Sequence, residues 1–485
     1  MDKVLQELVP IGLLILVVSI VVTRLPKVDV GHTAAFRRRR VLNWLPLGLT
    51  YAFLYMGRYN FNALMDHKLI SQAEFGHIDA VGSVVYGLSF LLNGPLTDRF
   101  GGRLTILLAA AGAAACNGAI GIAMLTSSAP LPADTVPAEL ALMVLYGLNM
   151  YFQSFGAVAI VKVNASWFHL RERGTFGGIF GILISVGLYL AYDWAPKIAE
   201  LTSWPWLFLA PTGFLLLFFG LSYLFVRDTP ADAGLADFDV ADASSGETGP
   251  PDRALVIIKR MLTNKVLLVI AFISLCSGFM RQGILKWYRT FANGVGHIID
   301  DKTGATIVGK TDAWIPTHWG MVSCIAGITG GMFAGIVSDH LFKSRRPPVA
   351  CVAFGLLLGG AIAIVPLLDN AAVISGIAAF MAMAVIGVHG MMSGVASQDF
   401  GGRRNAGTAT GLIDGFVYFG GAFSSIVYGA VLPEKGTPAA ADTHAWLGWP
   451  LAMIPLAVIG LGLSLTILKA VVAPRKPSLT TAAPK

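Results

Sequence analysis

The segment GPLTDRFGGR, residues 94–103, lies between two apolar stretches, and GIVSDHLFKSRR, residues 335–346, lies at the equivalent place in the second half of the chain. Each sets an acid, basic residues and glycine in a short polar run. That pattern suits a tight turn that pairs charges between successive helices. One copy would carry little weight. Its recurrence at the matching turn of each half signals an internal repeat, so the surrounding helices should recur as well.

They do. A membrane helix needs about 20 mostly apolar residues. Such stretches lie near 43–65, 79–97, 104–126, 137–163, 174–194 and 205–226, and again near 264–290, 315–338, 348–368, 372–396, 406–432 and 446–470. Between the two sets runs DTPADAGLADFDVADASSGETGPPD, residues 228–252, acidic and rich in Gly, Pro and Ser. It reads as a polar connector. The expected organisation is a six-helix half over 41–226, a linker over 227–262, a second half over 263–471 and a tail over 472–485.

Composition requires the same solvent. Hydrophobic residues make up 55% and charged residues 13% of 485, against roughly 25% charged in an average soluble chain. Mean hydropathy is +0.68. A single soluble core stops growing near about 250–300 residues, so this much apolar surface must face lipid. A soluble enzyme, a disordered chain and a disulfide scaffold are excluded. Cys116, Cys276, Cys324 and Cys351 all lie in apolar stretches without a CxxC pair and read as packing residues.

The net charge of +7 is explained by position, with no need for nucleic acid. Alternate loops and the span ends that adjoin them, starting before residue 43, hold 24 of the 35 Lys and Arg, among them Arg37 to Arg40, Arg99, Arg103, Arg171, Arg173, Arg227, Arg345, Arg346, Arg403 and Arg404. The opposite loops hold only 6: Lys3, Lys68, Lys197, Lys302, Lys310 and Lys435. The rich side is expected to be cytoplasmic, with the linker and C-terminus on it, in a bacterial inner membrane. A further apolar stretch at 5–23 has its basic flank after it, which points to an uncleaved extra N-terminal helix.

Five basic residues remain, and they lie inside spans: Arg58, Lys162, Arg281, Lys286 and Arg289. A charge at mid-membrane costs about 2.5–3.5 kcal/mol on insertion scales, so such residues face a cavity or a partner. Lys162 and Arg289 lie near span ends and can be read as snorkelling. Arg58 and Arg281 cannot. Each is deep in the first helix of its half, so the two correspond. In a carrier of two similar halves the substrate binds near the midplane, between them. Two guanidinium forks there match the oxygens of phosphate or carboxylate. Asp414 is the acid that lies clearly mid-span, so the expected cavity is net positive. Tyr59, Asn60, Asn62, Tyr86, Gln153, Gln282, His389 and Tyr418 are further polar candidates for its wall, each read alone as a helix-packing contact first. His389 could also carry a proton.

The turn motif and its repeat resemble those of the major facilitator superfamily. Within it the chain resembles the organophosphate:phosphate antiporters, over about residues 45–470. The segments that carry this are YMGRYNFNALM (55–65), VYGLSFLLNGPLTDR (85–99), WFHLRERG (167–174), RDTPADAGL (227–235), GFMRQGILKW (278–287), AGITGGMFAGIVSD (326–339) and AGTATGLIDGFVYFGG (406–421). The resemblance implies an all-α polytopic major facilitator fold. It also implies that Arg58 and Arg281 are the paired phosphate-binding arginines. The Asp-Gly pair at 414–415 resembles the animal sugar-phosphate exchangers. Against glycerol-3-phosphate carriers, Ile184 stands for a histidine, Phe90 for a lysine and Lys286 for an acid.

The expected activity is exchange of a sugar phosphate or glycerol phosphate for inorganic phosphate by alternating access. The expected substrate contacts are Arg58, Arg281, Lys286, Asp414, Tyr59, Tyr86, Gln282, His389 and Tyr418. A proton-coupled carboxylate carrier, with His389 and Asp414 as proton carriers, and a sugar-phosphate sensor of the same fold are the alternatives. No cofactor, metal, nucleic acid or enzymatic activity is expected; no GxxxxGK[ST] loop is present to bind ATP. The partners are the phosphorylated substrate, phosphate and the lipid membrane, and the chain is expected to act as a monomer.

Overall fold

A computed structural model describes residues 32–67, 69–126, 136–169, 173–238, 265–295, 314–337, 346–392, 397–434 and 437–468, with isolated positions between. The expected N-terminal helix at 5–23, most of the linker, the C-terminal tail and the acid of the second turn motif, Asp339, lie outside the described residues.

Helix covers each of the twelve predicted spans. They are α1 (Ala34–Tyr59), α2 (Gln72–Phe100), α3 (Gly102–Thr126), α4 (Val136–Trp167), α5 (Arg173–Tyr189), α6 (Trp206–Phe225), α7 (Lys265–Gln282), α8 (Trp319–Ile336), α9 (Arg346–Ile364), α10 (Ala371–His389), α11 (Ser397–Val431) and α12 (Gly448–Thr466). Nine helical stretches among the described residues are long and apolar enough to cross a membrane. The exceptions are α1, α5 and α8. Helix α1 opens with four arginines, α5 gives way to a π turn at Leu190–Trp194, and the apolar run of α8 is short. All three help to line the interface between the halves, where a strictly apolar rod is not required.

The starts of the helices obey local chemistry. Thr33 caps α1 by accepting from Phe36 N at 3.2 Å. Ser71 and Glu74 form a reciprocal capping box on α2. The turn of the first motif depends on Gly101, whose φ of +85° suits glycine. A Cβ there would also collide with the Asp228 carboxylate. That carboxylate accepts from Arg103 N at 2.8 Å, at the start of α3. Burial pushes the Asp228 carboxyl above the usual range despite its backbone N–H partners.

Packing repeats between halves. In the first, α1 contacts α4, α5 and α6, α2 contacts α4, and α3 contacts α4 and α6. In the second, α7 contacts α10, α11 and α12, α8 contacts α10, and α9 contacts α10 and α12. The halves meet through α2 on α11 and α5 on α8, pairings that the same correspondence exchanges. Glycine permits the closest approach. A Cβ on Gly411 of α11 would overlap the carbonyl oxygen of Phe90 on α2, and one on Gly94 would overlap that of Gly407.

Candidate functional site

Arg58 lies in the last turn of α1 and is 1% exposed; Arg281 lies near the end of α7 and is 4% exposed. A buried charge is tolerated only when its donors are satisfied. Arg58 satisfies three. Its Nε donates to Gln153 Oε1 of α4 at 2.9 Å, Nη1 to Tyr418 OH of α11 at 2.5 Å and Nη2 to Tyr86 OH of α2 at 2.7 Å. Its guanidinium lies 4.4 Å from the Tyr86 ring centroid and 4.6 Å from that of Tyr55, within cation–π range.

Arg281 reaches back across the interface. Its Nη2 donates to Tyr55 OH at 3.3 Å and Tyr59 OH at 3.4 Å, both on α1. Its Nη1 lies 3.4 Å from His389 Nε2 on α10. A guanidinium only donates, so this contact makes Nε2 the acceptor and leaves the imidazole hydrogen on Nδ1. Tyr55 therefore touches both cations, with its ring under Arg58 and its hydroxyl at Arg281. The two arginines isolated by sequence share one site at the join of the halves. Gln153 and His389 hold corresponding places, each on the fourth helix of its half against that half's arginine.

Tyr59, Tyr86, His389 and Tyr418 thus converge on the arginines. Gln282 is buried beside Gly421 of α11, and Asp414 is buried one turn before Tyr418. Lys286 stands apart. It follows Arg281 in a π turn, Gly283–Trp287, and its Nζ lies 2.7 Å from Asp79 Oδ2 on α2. Ser425 Oγ donates to the same oxygen at 2.5 Å, and Tyr146 OH lies 3.5 Å from Asp79 Oδ1. The expectation that Asp414 alone offsets the interior cations missed Asp79, because it stands at the first residue of its predicted span. Asp79 compensates Lys286 locally.

Snorkelling explains neither of the other two. Arg289 Nε pairs with Asp66 Oδ2 at 3.0 Å and its Nη1 donates to Tyr192 O at 2.8 Å. Lys162 Nζ pairs with Asp98 Oδ1 at 2.8 Å. Asp98 also accepts from Gly407 N, Thr408 N and Thr408 Oγ1 of α11 at 3.1, 2.8 and 2.8 Å. On the opposite face Asp193, turned by the π turn after α5, accepts from Gly320 N and Met321 N of α8 at 2.9 Å each. Carboxylates of the first half thus grip the second half on both sides of the arginines. Tyr55 was missed in the sequence, although its place three residues before Arg58, on the same helix face, was a signal for it. Asp66 and Asp193 were not, since acids at span ends look like loop residues.

The known proteins that this chain resembles include transporters and a sensor. Residues 47–425 match the Major Facilitator Superfamily model. The chain is 27% identical over 454 residues to the glycerol-3-phosphate transporter of Bacillus subtilis, covering 89% of this chain and 93% of that protein. It is 25% identical to the hexose-6-phosphate:phosphate antiporter of Salmonella typhimurium, covering 86% and 88%. It is 23% identical to the membrane sensor protein UhpC of Escherichia coli, covering 87% and 90%.

Proposed function

Because the chain belongs to the major facilitator superfamily, we propose that it is a secondary transporter that exchanges a phosphorylated organic anion, a sugar phosphate or glycerol phosphate, for inorganic phosphate. The observation that carries this reading is the pair of buried arginines, one from each half, joined through Tyr55. Two guanidinium forks in a low-dielectric site favour a ligand of high negative charge with several acceptor oxygens, which a phosphate group is. The names of the related transporters point to the same substrates.

The phosphate group displaces the tyrosine hydroxyls from the arginine donors and is bound from both halves at once. Tyr59, Tyr86, Gln282, His389, Asp414 and Tyr418 line the site and contact the organic part, with Asp414 as an acceptor for sugar hydroxyls. Lys286 reaches a larger ester only after leaving Asp79. The two halves, 41–226 and 263–471, rock about the site to expose it to either side. Closing on two bare arginines is opposed by repulsion and desolvation. An anion therefore occupies the site on each crossing, which makes exchange obligatory. The arginine-rich face is cytoplasmic, in a bacterial inner membrane, and one chain is a complete carrier.

The test is purified protein in phosphate-loaded liposomes, with labelled external phosphate and glycerol 3-phosphate or glucose 6-phosphate as competitors. Arg58→Lys and Arg281→Lys each lose the planar fork and reduce exchange at least about tenfold, the scale of one charged hydrogen bond of roughly 1.4 kcal/mol or more. Competition by organic carboxylates but not by phosphate esters would overturn the reading. Phosphate binding without exchange would indicate a sensor.

A further inference from the structure

Arg58 is held by a chain of buried amides whose direction is set by the backbone of its own helix. The carbonyl of Gly57 lies in the last turn of α1, where helix carbonyls lack their usual partner four residues on. Two asparagines supply it. Asn149 Nδ2 of α4 and Asn117 Nδ2 of α3 each donate to Gly57 O at 3.0 Å. A carbonyl can only accept, so this contact decides which end of the Asn149 amide is nitrogen. Asn149 Oδ1 then faces Gln153 and accepts from its Nε2 at 2.9 Å. That bond in turn decides the Gln153 amide, whose Oε1 is left to accept from Arg58 Nε at 2.9 Å. Asn60 Nδ2, donating to Asn117 Oδ1 at 3.1 Å and Leu207 O at 2.9 Å, fixes the far end. Asn60, Asn117, Asn149 and Gln153 are all buried.

We propose that Asn149, supported by Asn117, is a positioning residue for phosphate: it locks the Gln153 amide oxygen toward Arg58 Nε, so that the Nη edge of the guanidinium is the part offered to the anion. With the amide reversed, Gln153 would present N–H to a cation that has no acceptor, and the guanidinium would turn. The inference rests on the phosphate-exchange reading given above. It adds residues that never touch the substrate, one on α4 and one on α3.

The test is a double-mutant cycle in the full-length protein, read by phosphate exchange in liposomes and by the phosphate-induced rise in melting temperature in detergent. Asn149→Leu raises the half-saturating phosphate concentration about tenfold and changes the maximal rate less than about threefold. Gln153→Leu does the same. The double variant is no worse than Gln153→Leu alone, because Asn149 acts only through Gln153. Asn149→Ala, which adds no bulk, gives the same cycle if the leucine variant does not fold. Effects that add in the double variant, or a fall in maximal rate at unchanged half-saturation, would overturn the proposal and leave the function standing. If the unmodified protein neither exchanges nor binds phosphate, the function and the proposal fail together.

Discussion

Five cations placed inside apolar spans divide into two groups by what surrounds them. Lys162, Lys286 and Arg289 each sit on a carboxylate of the first half. Arg58 and Arg281 sit instead on neutral groups: tyrosines, a glutamine and a histidine. A cation held by neutral acceptors keeps its charge available for an anion. One paired with a carboxylate does not. Two predictions follow at this scale. Asp79→Asn leaves Lys286 buried without its counter-charge and destabilises the protein by about 3–5 kcal/mol, whereas Asp79→Asn with Lys286→Met recovers most of that; thermal unfolding in detergent reads both. His389→Gln keeps an acceptor for Arg281 and mimics the place of Gln153. It retains exchange within about threefold at pH 6 to 8, while His389→Leu raises the half-saturating phosphate concentration about tenfold. A requirement for histidine itself would revive the proton-carrying role.

Helices and turns add what no single residue shows. Both π turns, Leu190–Trp194 and Gly283–Trp287, insert one extra residue per turn beside the site. They aim Asp193 at the start of α8 and Lys286 at α2. Hydropathy located the twelve helices because a 20-residue apolar run is a strong signal. It could not locate the π turns, since nothing in the apolar pattern of LAYDW or GILKW distinguishes a π turn from an α turn. For the same reason the pairing of Lys286 was not legible, while the depth of Arg58 and Arg281 was. Of the Asn149 chain only Asn60 and Gln153 were legible; Asn117 and Asn149 were not, because asparagine in a membrane helix has many roles and its sequence position does not show which carbonyl it meets. At this scale the α2–α11 contact makes a prediction. Gly411→Val cannot keep α11 against the Phe90 carbonyl, so it holds the arginine-rich side apart and raises labelling of cysteines placed there. At the turn before α3, Asp228 has a carboxyl raised by burial. A raised carboxyl favours the folded state at low pH, and its contribution falls as pH rises above the ordinary value near 3.9. Asp228→Asn therefore changes stability at pH 7 by less than about 1 kcal/mol, whereas Asp228→Leu costs about 1–2 kcal/mol by stranding backbone N–H groups at the start of α3.

Across the whole molecule, the arginines lie between two sets of ties. Asp98 holds α11 toward the arginine-rich face, while Asp193, Asp66 and Asp79 hold the second half toward the opposite face. Ties between the halves therefore lie on both sides of the arginines in this structure. In the proposed cycle each opening breaks one set and keeps the other, and binding of the anion by both halves supplies the energy. That is the central claim: no anion, no crossing. It is tested most directly by timing the entry of labelled phosphate into liposomes that contain the protein, with phosphate inside or with an inert buffer inside. The account predicts rapid entry only into the phosphate-loaded vesicles, with no acceleration of entry into empty ones by an imposed proton gradient. Equal entry into loaded and empty vesicles, or entry driven into empty ones by protons, would contradict it.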